Sequence, residues 1–351
     1  MTTIHCLGSG LVGSFVIKKL SKKGIKVNVV DIEEKSYPKD QKLVKIHVAD
    51  AFTYCQKISN KNDLFVNMLP GSLGHKVTKL LVSKGKKVVD LSFSEETPEL
   101  LHESALKSGA KLLWDVGIAP GFSNMLIAYA SRIGNGVINA EVRVGGNPLE
   151  TDEEWSYMAP FSPNDVIAEY TRPARIIRDR KLCVLPALSE RHKVNVKQRG
   201  TMEAFLTDGL RSLLHTIPAN DMTEYTVRWP GHIQKFIDQR DAGLIDEKEL
   251  IQKWVFDEKR KEFTWMEVKV ECNNGEEMNW TIYDEGMNSD SSMARTTGIV
   301  TASCIKQWIM DDSLIPEGVY PPESLPNEVI FNVLQDLRDE GVIIEGPDIN
   351  F

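Results

Sequence analysis

Gly8-Ser9-Gly10-Leu11-Val12-Gly13 is the segment best suited to chemistry. It follows a short apolar run at 3–7 and opens a helical pattern in which Val12, Phe15, Val16 and Leu20 share one face. In a strand–turn–helix unit, Gly8 permits the tight turn, Gly10 lets backbone approach a pyrophosphate, and Gly13 allows close helix–strand packing. The helix N-terminus then meets the phosphate charge. Asp31 closes the next strand, eighteen residues beyond Gly13. A carboxylate there accepts hydrogen bonds from a ribose 2′-hydroxyl and repels a 2′-phosphate. No Arg follows it (Ile32, Glu33, Glu34), so the pattern predicts NAD in preference to NADP. Leu69-Pro70-Gly71, at the end of another strand, is placed either for a backbone contact to the same cofactor or as a plain proline turn.

A second set of residues could handle an amine. Asp115-Val116-Gly117-Ile118-Ala119-Pro120-Gly121 ends the last strand of the first region, where a nicotinamide and a substrate should meet. Asp115 is a candidate acid–base group or a helix cap. His232, after Pro230-Gly231, titrates near neutral pH and is a second candidate; Tyr157 is a third. Arg172 and Arg175 flank Pro173, with Arg178 nearby. Guanidinium groups bind carboxylates bidentately, which suits an acidic substrate; surface or interdomain ion pairs are the other reading. Lys235 could assist by charge. Thr207 and Asp208 precede Gly209 in a run, Glu203 to Leu214, that reads as helical, and polar groups beside such a glycine suggest a ligand approach or a cap.

The elements that must position these groups fall into two patterns. Up to about residue 120, strands (3–7, 25–31, 43–48, 63–69, 87–91, 111–115) alternate with helical segments, which predicts a doubly wound parallel sheet of Rossmann type. From Val137 the pattern changes to strict alternation, repeated at Met266–Val270 and Met278–Ile282 with Asn274-Gly275 as a hairpin turn between them. That predicts an α+β second domain with a mixed or antiparallel sheet. The fold class is therefore α/β, with domains at 1–120, completed by helices from about 290–351, and at 121–289.

Composition limits the partners. The 351 residues carry 42 Lys+Arg against 50 Asp+Glu, a net charge of −8, which speaks against nucleic-acid binding and leaves room for a local basic pocket. There is no apolar stretch of about 18 residues to span a membrane and no signal-peptide pattern. The five cysteines are scattered, as expected of reduced thiols in the cytoplasm. No metal-ligand spacing, P-loop or nucleophile elbow occurs.

Further segments carry a resemblance. Val144-Gly-Gly-Asn-Pro148, Phe161-Ser-Pro163, Glu169-Tyr-Thr-Arg-Pro-Ala-Arg175, Glu203-Ala-Phe-Leu-Thr-Asp-Gly209, Pro230-Gly-His232, Met293-Ala-Arg295 and Gly318-Val-Tyr-Pro-Pro-Glu323 follow the two glycine segments in order over nearly the whole chain. Together they resemble the saccharopine dehydrogenase family, above all its short L-lysine 6-dehydrogenase-like members. The resemblance implies an NAD(P)-dependent homodimer that oxidises the carbon–nitrogen bond of a small amino-acid substrate. A carboxynorspermidine-type dehydrogenase and a non-catalytic nucleotide sensor are the alternatives. The arginines favour saccharopine, and the short chain favours lysine.

Overall fold

The computed structural model describes residues 3–34, 43–60, 62–287 and 289–350. In chain order the elements are β1 Ile4–Leu7, α1 Leu11–Lys22, β2 Val27–Asp31, β3 Val44–Val48, α2 Ala51–Lys57, β4 Leu64–Asn67, α3 Gly71–Ser83, β5 Lys87–Asp90, α4 His102–Ser108 and β6 Lys111–Trp114. These are followed by α5 Phe122–Ile133, β7 Val137–Pro148, α6 Pro163–Thr171, β8 Ala174–Arg178, β9 Lys181–Leu185, β10 His192–Val196, β11 Gly200–Leu206, α7 Leu213–Thr216 and β12 Asp221–Arg228. The chain ends with α8 His232–Asp241, α9 Glu247–Lys253, β13 Glu262–Cys272, β14 Glu277–Asp284, α10 Ser292–Met310, β15 Gly318–Tyr320, α11 Asn327–Asp339 and β16 Ile343–Glu345. It divides into two compact units, one of residues 1–125, 297–337 and 351, the other of 126–296 and 338–350.

The first unit holds a seven-stranded parallel sheet in the order β15-β6-β5-β4-β1-β2-β3. β1 lies centrally, Ile4 beside Val27 on one flank and Leu64 on the other. The first six strands follow the Rossmann order, and the chain reverses direction across the sheet between β1 and β4, which is where such folds bind nucleotides. Both faces of the sheet are covered, so its central strands are buried throughout: all four residues of β1 and of β4 are buried. Phe65, Val88, Leu112, Leu81 and Trp114 form the core on one face. α1 packs through Phe15, Val16, Ile17 and Leu20 and ends at Gly24, whose φ of +79° suits a residue without a Cβ.

In the second unit the sheet runs β10-β11-β12-β7-β13-β14-β16, with the β8–β9 hairpin branching from β12. β7 and β12 are parallel and the other pairs antiparallel, so the sheet is mixed. β13 and β14 pair around the expected Asn274-Gly275 turn. Gly275 takes φ +85° there. The run Glu203 to Leu214, read as helical, is instead β11 followed by a loop and the single turn α7. Ala204 and Leu206 face a core of aliphatic and aromatic groups while Phe205 faces another, a period of two that the dense apolar run concealed.

Candidate functional site

The first candidate site is the β1–α1 turn. Gly8 has φ +89°, and a Cβ there would lie 2.9 Å from the Met68 carbonyl oxygen. A Cβ on Gly13 would lie 2.6 Å from the Gly8 carbonyl oxygen, so the helix closes directly on the turn. Gly10 differs: a Cβ there meets nothing within 4 Å. Of these three glycines, the one with open space beside it is the N-cap of α1, and no side chain caps that helix. Uncapped N–H groups over an open backbone fit a pyrophosphate.

Asp31 is tied to this turn. Its Oδ2 accepts from the Ser9 N–H at 2.8 Å and the Ser9 hydroxyl at 2.6 Å, and its Oδ1 accepts from the Glu33 N–H at 3.1 Å. Ser14 donates to the Ser9 carbonyl at 2.7 Å. At the end of β4, the Pro70 carbonyl accepts from Leu73 and Gly74 and starts α3 at Gly71, while Leu69 N–H donates to Asn67 Oδ1 at 3.3 Å. Asp115 follows β6 with φ +53°, is 4% exposed, and donates its N–H to the Asp90 carbonyl at 2.8 Å. Gly117 to Gly121 then form a tight bend closed by Phe122 N–H on the Gly117 carbonyl.

The second unit contains a buried polar lattice centred on Arg228, which the sequence reading did not single out. Arg228 closes β12 and is 2% exposed. Its Nε donates to the Tyr170 hydroxyl at 2.8 Å, Nη2 to Tyr157 at 3.2 Å and to Glu169 Oε2 at 2.8 Å, and Nη1 to the Val227 carbonyl at 3.0 Å. The guanidinium lies 4.4 Å from the Tyr157 ring centroid. The Tyr170 hydroxyl meets His232 Nε2 at 2.8 Å, and His232 Nδ1 meets the Trp155 carbonyl at 2.7 Å. A carbonyl only accepts, so Nδ1 carries the proton and Nε2 takes the Tyr170 hydrogen. An Arg buried between tyrosines is invisible to motif spacing, because its partners lie far from it along the chain.

This geometry places two of the candidate acid–base residues inside the lattice. His232 is a neutral, fully bonded group: burial lowers its pKa to about 3, with Arg228 acting in the same direction. Burial likewise pushes the Tyr157 phenol well above its ordinary range, so it stays protonated. Both are members of the hydrogen-bonded lattice. Glu169 is also raised by burial, against the pull of Arg228.

The remaining predicted residues are dispersed. Arg175 makes a two-pronged pair with Asp208, Nε–Oδ1 2.8 Å and Nη2–Oδ2 2.9 Å, and Arg178 pairs with Glu190 at 2.8 Å. Arg172 is half-buried at the C-cap of α6. The Thr207 hydroxyl accepts from Thr226 at 3.1 Å. Lys235 donates to the Glu154 carbonyl and lies 5.0 Å from the Trp155 ring centroid. No described helix is long and apolar enough to cross a membrane.

A parallel sheet with a glycine turn and an acidic strand end, in a chain that also holds a mixed sheet, defines a class, the doubly wound nucleotide-binding α/β proteins. Within it the chain belongs to the saccharopine dehydrogenase family: residues 4–112 match the saccharopine dehydrogenase NADP binding domain and 117–342 the saccharopine dehydrogenase C-terminal domain. It is 23% identical over 197 residues to the saccharopine dehydrogenase [NADP(+), L-glutamate-forming] of Schizosaccharomyces pombe, covering 52% of this chain and 43% of that protein. It is 23% identical over 142 residues to the alpha-aminoadipic semialdehyde synthase of Arabidopsis thaliana, covering 39% and 13%. The matches therefore span less than half the length of these curated relatives. In fold it resembles apo saccharopine dehydrogenase (L-Glu forming) from Saccharomyces cerevisiae, with TM-score 0.76, 16% identity and 99% and 100% of the two chains covered. It also resembles the NAD complex of homospermidine synthase from Legionella pneumophila, with TM-score 0.70, 14% identity and 99% and 91% covered. The protein is accordingly a member of this family, its first region matching the family's NADP binding domain and its remainder the C-terminal domain.

Proposed function

We propose that this protein is an NAD-linked dehydrogenase acting on the carbon–nitrogen bond of an amino acid, of lysine 6-dehydrogenase or saccharopine dehydrogenase type. The Asp31–Ser9 pair beside the open face of Gly10 carries the cofactor half of this reading. A carboxylate fixed there meets the ribose hydroxyls of NAD and faces a 2′-phosphate with like charge. The family's domain name mentions NADP; the local charge favours NAD.

Bound at this turn, the nicotinamide supplies an acceptor for the hydride that leaves the amine-bearing carbon. The chain's own residues govern the protons. The amine must be neutral when hydride leaves, so a base has to take one N–H proton. Of the three candidates, Asp115 is assigned this role, because Tyr157 and His232 are held within the Arg228 lattice. Water adds to the resulting imine, and hydrolysis breaks the carbon–nitrogen bond to release an aldehyde and the amine, ammonia from lysine or an amino acid from saccharopine, or the product cyclises.

Between lysine and saccharopine, the ion pairs favour lysine. Arg175 and Arg178 already hold carboxylates, so an additional substrate carboxylate would have to displace Asp208 or Glu190. The test is to follow reduced-nicotinamide absorbance with NAD and lysine, saccharopine or a carboxynorspermidine-type amine. Oxidation of lysine supports the reading. Turnover of saccharopine alone, or of the carboxyalkyl amine alone, rejects the lysine choice. NAD binding with no amine oxidised would make the protein a nucleotide sensor.

A further inference from the structure

Asp115 stands in the left-handed region at φ +53°, a conformation uncommon for a residue with a Cβ and one that its surroundings must hold. Its N–H is fixed by the Asp90 carbonyl at 2.8 Å. The chain leaving Asp115 is anchored one residue on, from far along the sequence. Thr301, on the part of α10 that belongs to the first unit, is fully buried, and its hydroxyl lies 2.9 Å from the Val116 carbonyl. The same hydroxyl lies 2.9 Å from the Thr297 carbonyl one turn back. That second contact is the ordinary one for a helical threonine; the first spans 185 positions to reach the residue after Asp115. The rest of the bend is closed. A Cβ on Gly121 would lie 2.1 Å from the Gly117 carbonyl oxygen, so its two limbs touch. Its far end is held by Asn124, whose Oδ1 accepts the Gly121 N–H at 3.1 Å and whose Nδ2 donates to Glu323 at 3.2 Å.

We propose that Thr301 is a positioning residue for the Asp115 base. This rests on the dehydrogenase reading above and on the role it gives Asp115. With Asp90 holding the chain that enters Asp115 and Thr301 the chain that leaves it, rotation about the Asp115 backbone bonds is restrained. The direction in which the carboxylate leaves the chain is restrained with it. Thr301 acts through this backbone alone. A reacting group misplaced by about 1 Å loses on the order of 100-fold in rate, so a hydroxyl that only steadies the bend still bears on kcat.

The test compares Thr301→Val with Thr301→Ser, using NAD and lysine, or NAD and saccharopine if that is the amine oxidised. Val keeps the branched shape and loses the hydroxyl; Ser keeps the hydroxyl and loses the methyl group. Thr301→Val should lower kcat about tenfold with calorimetric NAD affinity unchanged, while Thr301→Ser stays within about twofold of the wild type. A role in packing alone would give the opposite order. Rates are taken per NAD site titrated, so a lower folded fraction cancels. In Asp115→Asn, where the base is gone, adding Thr301→Val should cost less than about twofold more, because the two residues act as one unit. An undiminished loss in that background, or kcat intact in Thr301→Val, overturns the role of Thr301 and leaves that of Asp115 standing. A fall of less than about tenfold in Asp115→Asn alone removes the base, and this assignment with it. NAD binding with no amine oxidised by the wild type overturns the dehydrogenase reading and both assignments.

Discussion

Ser9 donates twice to one oxygen of Asp31, through its backbone N–H at 2.8 Å and its hydroxyl at 2.6 Å. The second strand is thereby pinned to the glycine turn, and the carboxylate cannot swing away from whatever the turn holds. Replacing Asp31 by Arg removes both bonds and inverts the charge. Asp31→Arg should raise the NAD dissociation constant at least tenfold and improve NADP binding, as read by calorimetry with each coenzyme. An unchanged ratio of the two affinities would remove Asp31 from the ribose site.

Gly10 and Gly13 separate binding from folding. A Cβ on Gly13 runs into backbone that cannot give way, at 2.6 Å from the Gly8 carbonyl oxygen. Gly13→Ala should therefore lower unfolding free energy by about 1–3 kcal/mol, in the range of overpacked sites, and weaken NAD binding as well. A Cβ on Gly10 meets open space, so Gly10→Ala should melt within a few degrees of the wild type while NAD affinity drops, because the methyl group occupies the phosphate's approach. Denaturant melts and calorimetry on the two variants check the contrast. Equal stability losses would contradict it.

The parallel sheet was legible because each strand is a short apolar run beside a helical one, and the glycine turn because its three glycines have different steric tasks. The hairpin Ala174–Leu185 was not legible. Its strands read Ala-Arg-Ile-Ile-Arg and Lys-Leu-Cys-Val-Leu, in which charges and apolar groups obey no simple alternation, and its turn is Asp179-Arg180, both at positive φ without a glycine to mark it. The arginines there could be read as substrate clamps or as ion pairs, since a sequence does not reveal that Asp208 lies across from Arg175. The same blindness hid Arg228: its partners Tyr157, Glu169 and Tyr170 come from up to 71 positions away. Spacing reports local periodicity, whereas the Arg228 lattice in the second unit is made by long-range burial.

Asp115 sits in the left-handed region at φ +53°, which Asn tolerates as well as Asp does. Asp115→Asn therefore keeps the bend and removes the base. Its kcat should fall roughly 10²–10⁴-fold, the usual contribution of general base catalysis, with the NAD dissociation constant unaltered. A fall of less than tenfold would move the base elsewhere.

Two buried groups tilt stability in opposite directions with pH. His232 binds its proton more weakly when folded, with a pKa near 3 against an ordinary 6.5, so its contribution is complete above 6.5 and is lost as pH falls from 6.5 toward 3. Glu262 is the reverse. Enclosed by the fold and accepting from the Ser292 N–H at 2.5 Å, it is pushed up from 4.5 to about 7 by burial, against the pull of those Ser292 bonds. Its contribution is complete below 4.5 and is lost as pH rises from 4.5 to 7. Between 4.5 and 6.5 the slopes oppose each other, each at most about 1.4 kcal/mol per pH unit, and the stability curve should be nearly flat there. Glu262→Gln should leave the His232 slope alone, so that stability rises steadily with pH from 4.5 to 6.5. His232→Asn should leave the Glu262 slope alone, with stability falling over the same interval. Urea melts at half-unit pH steps read both slopes. Parallel curves for wild type and Glu262→Gln would mean that the buried carboxylate is ionised throughout.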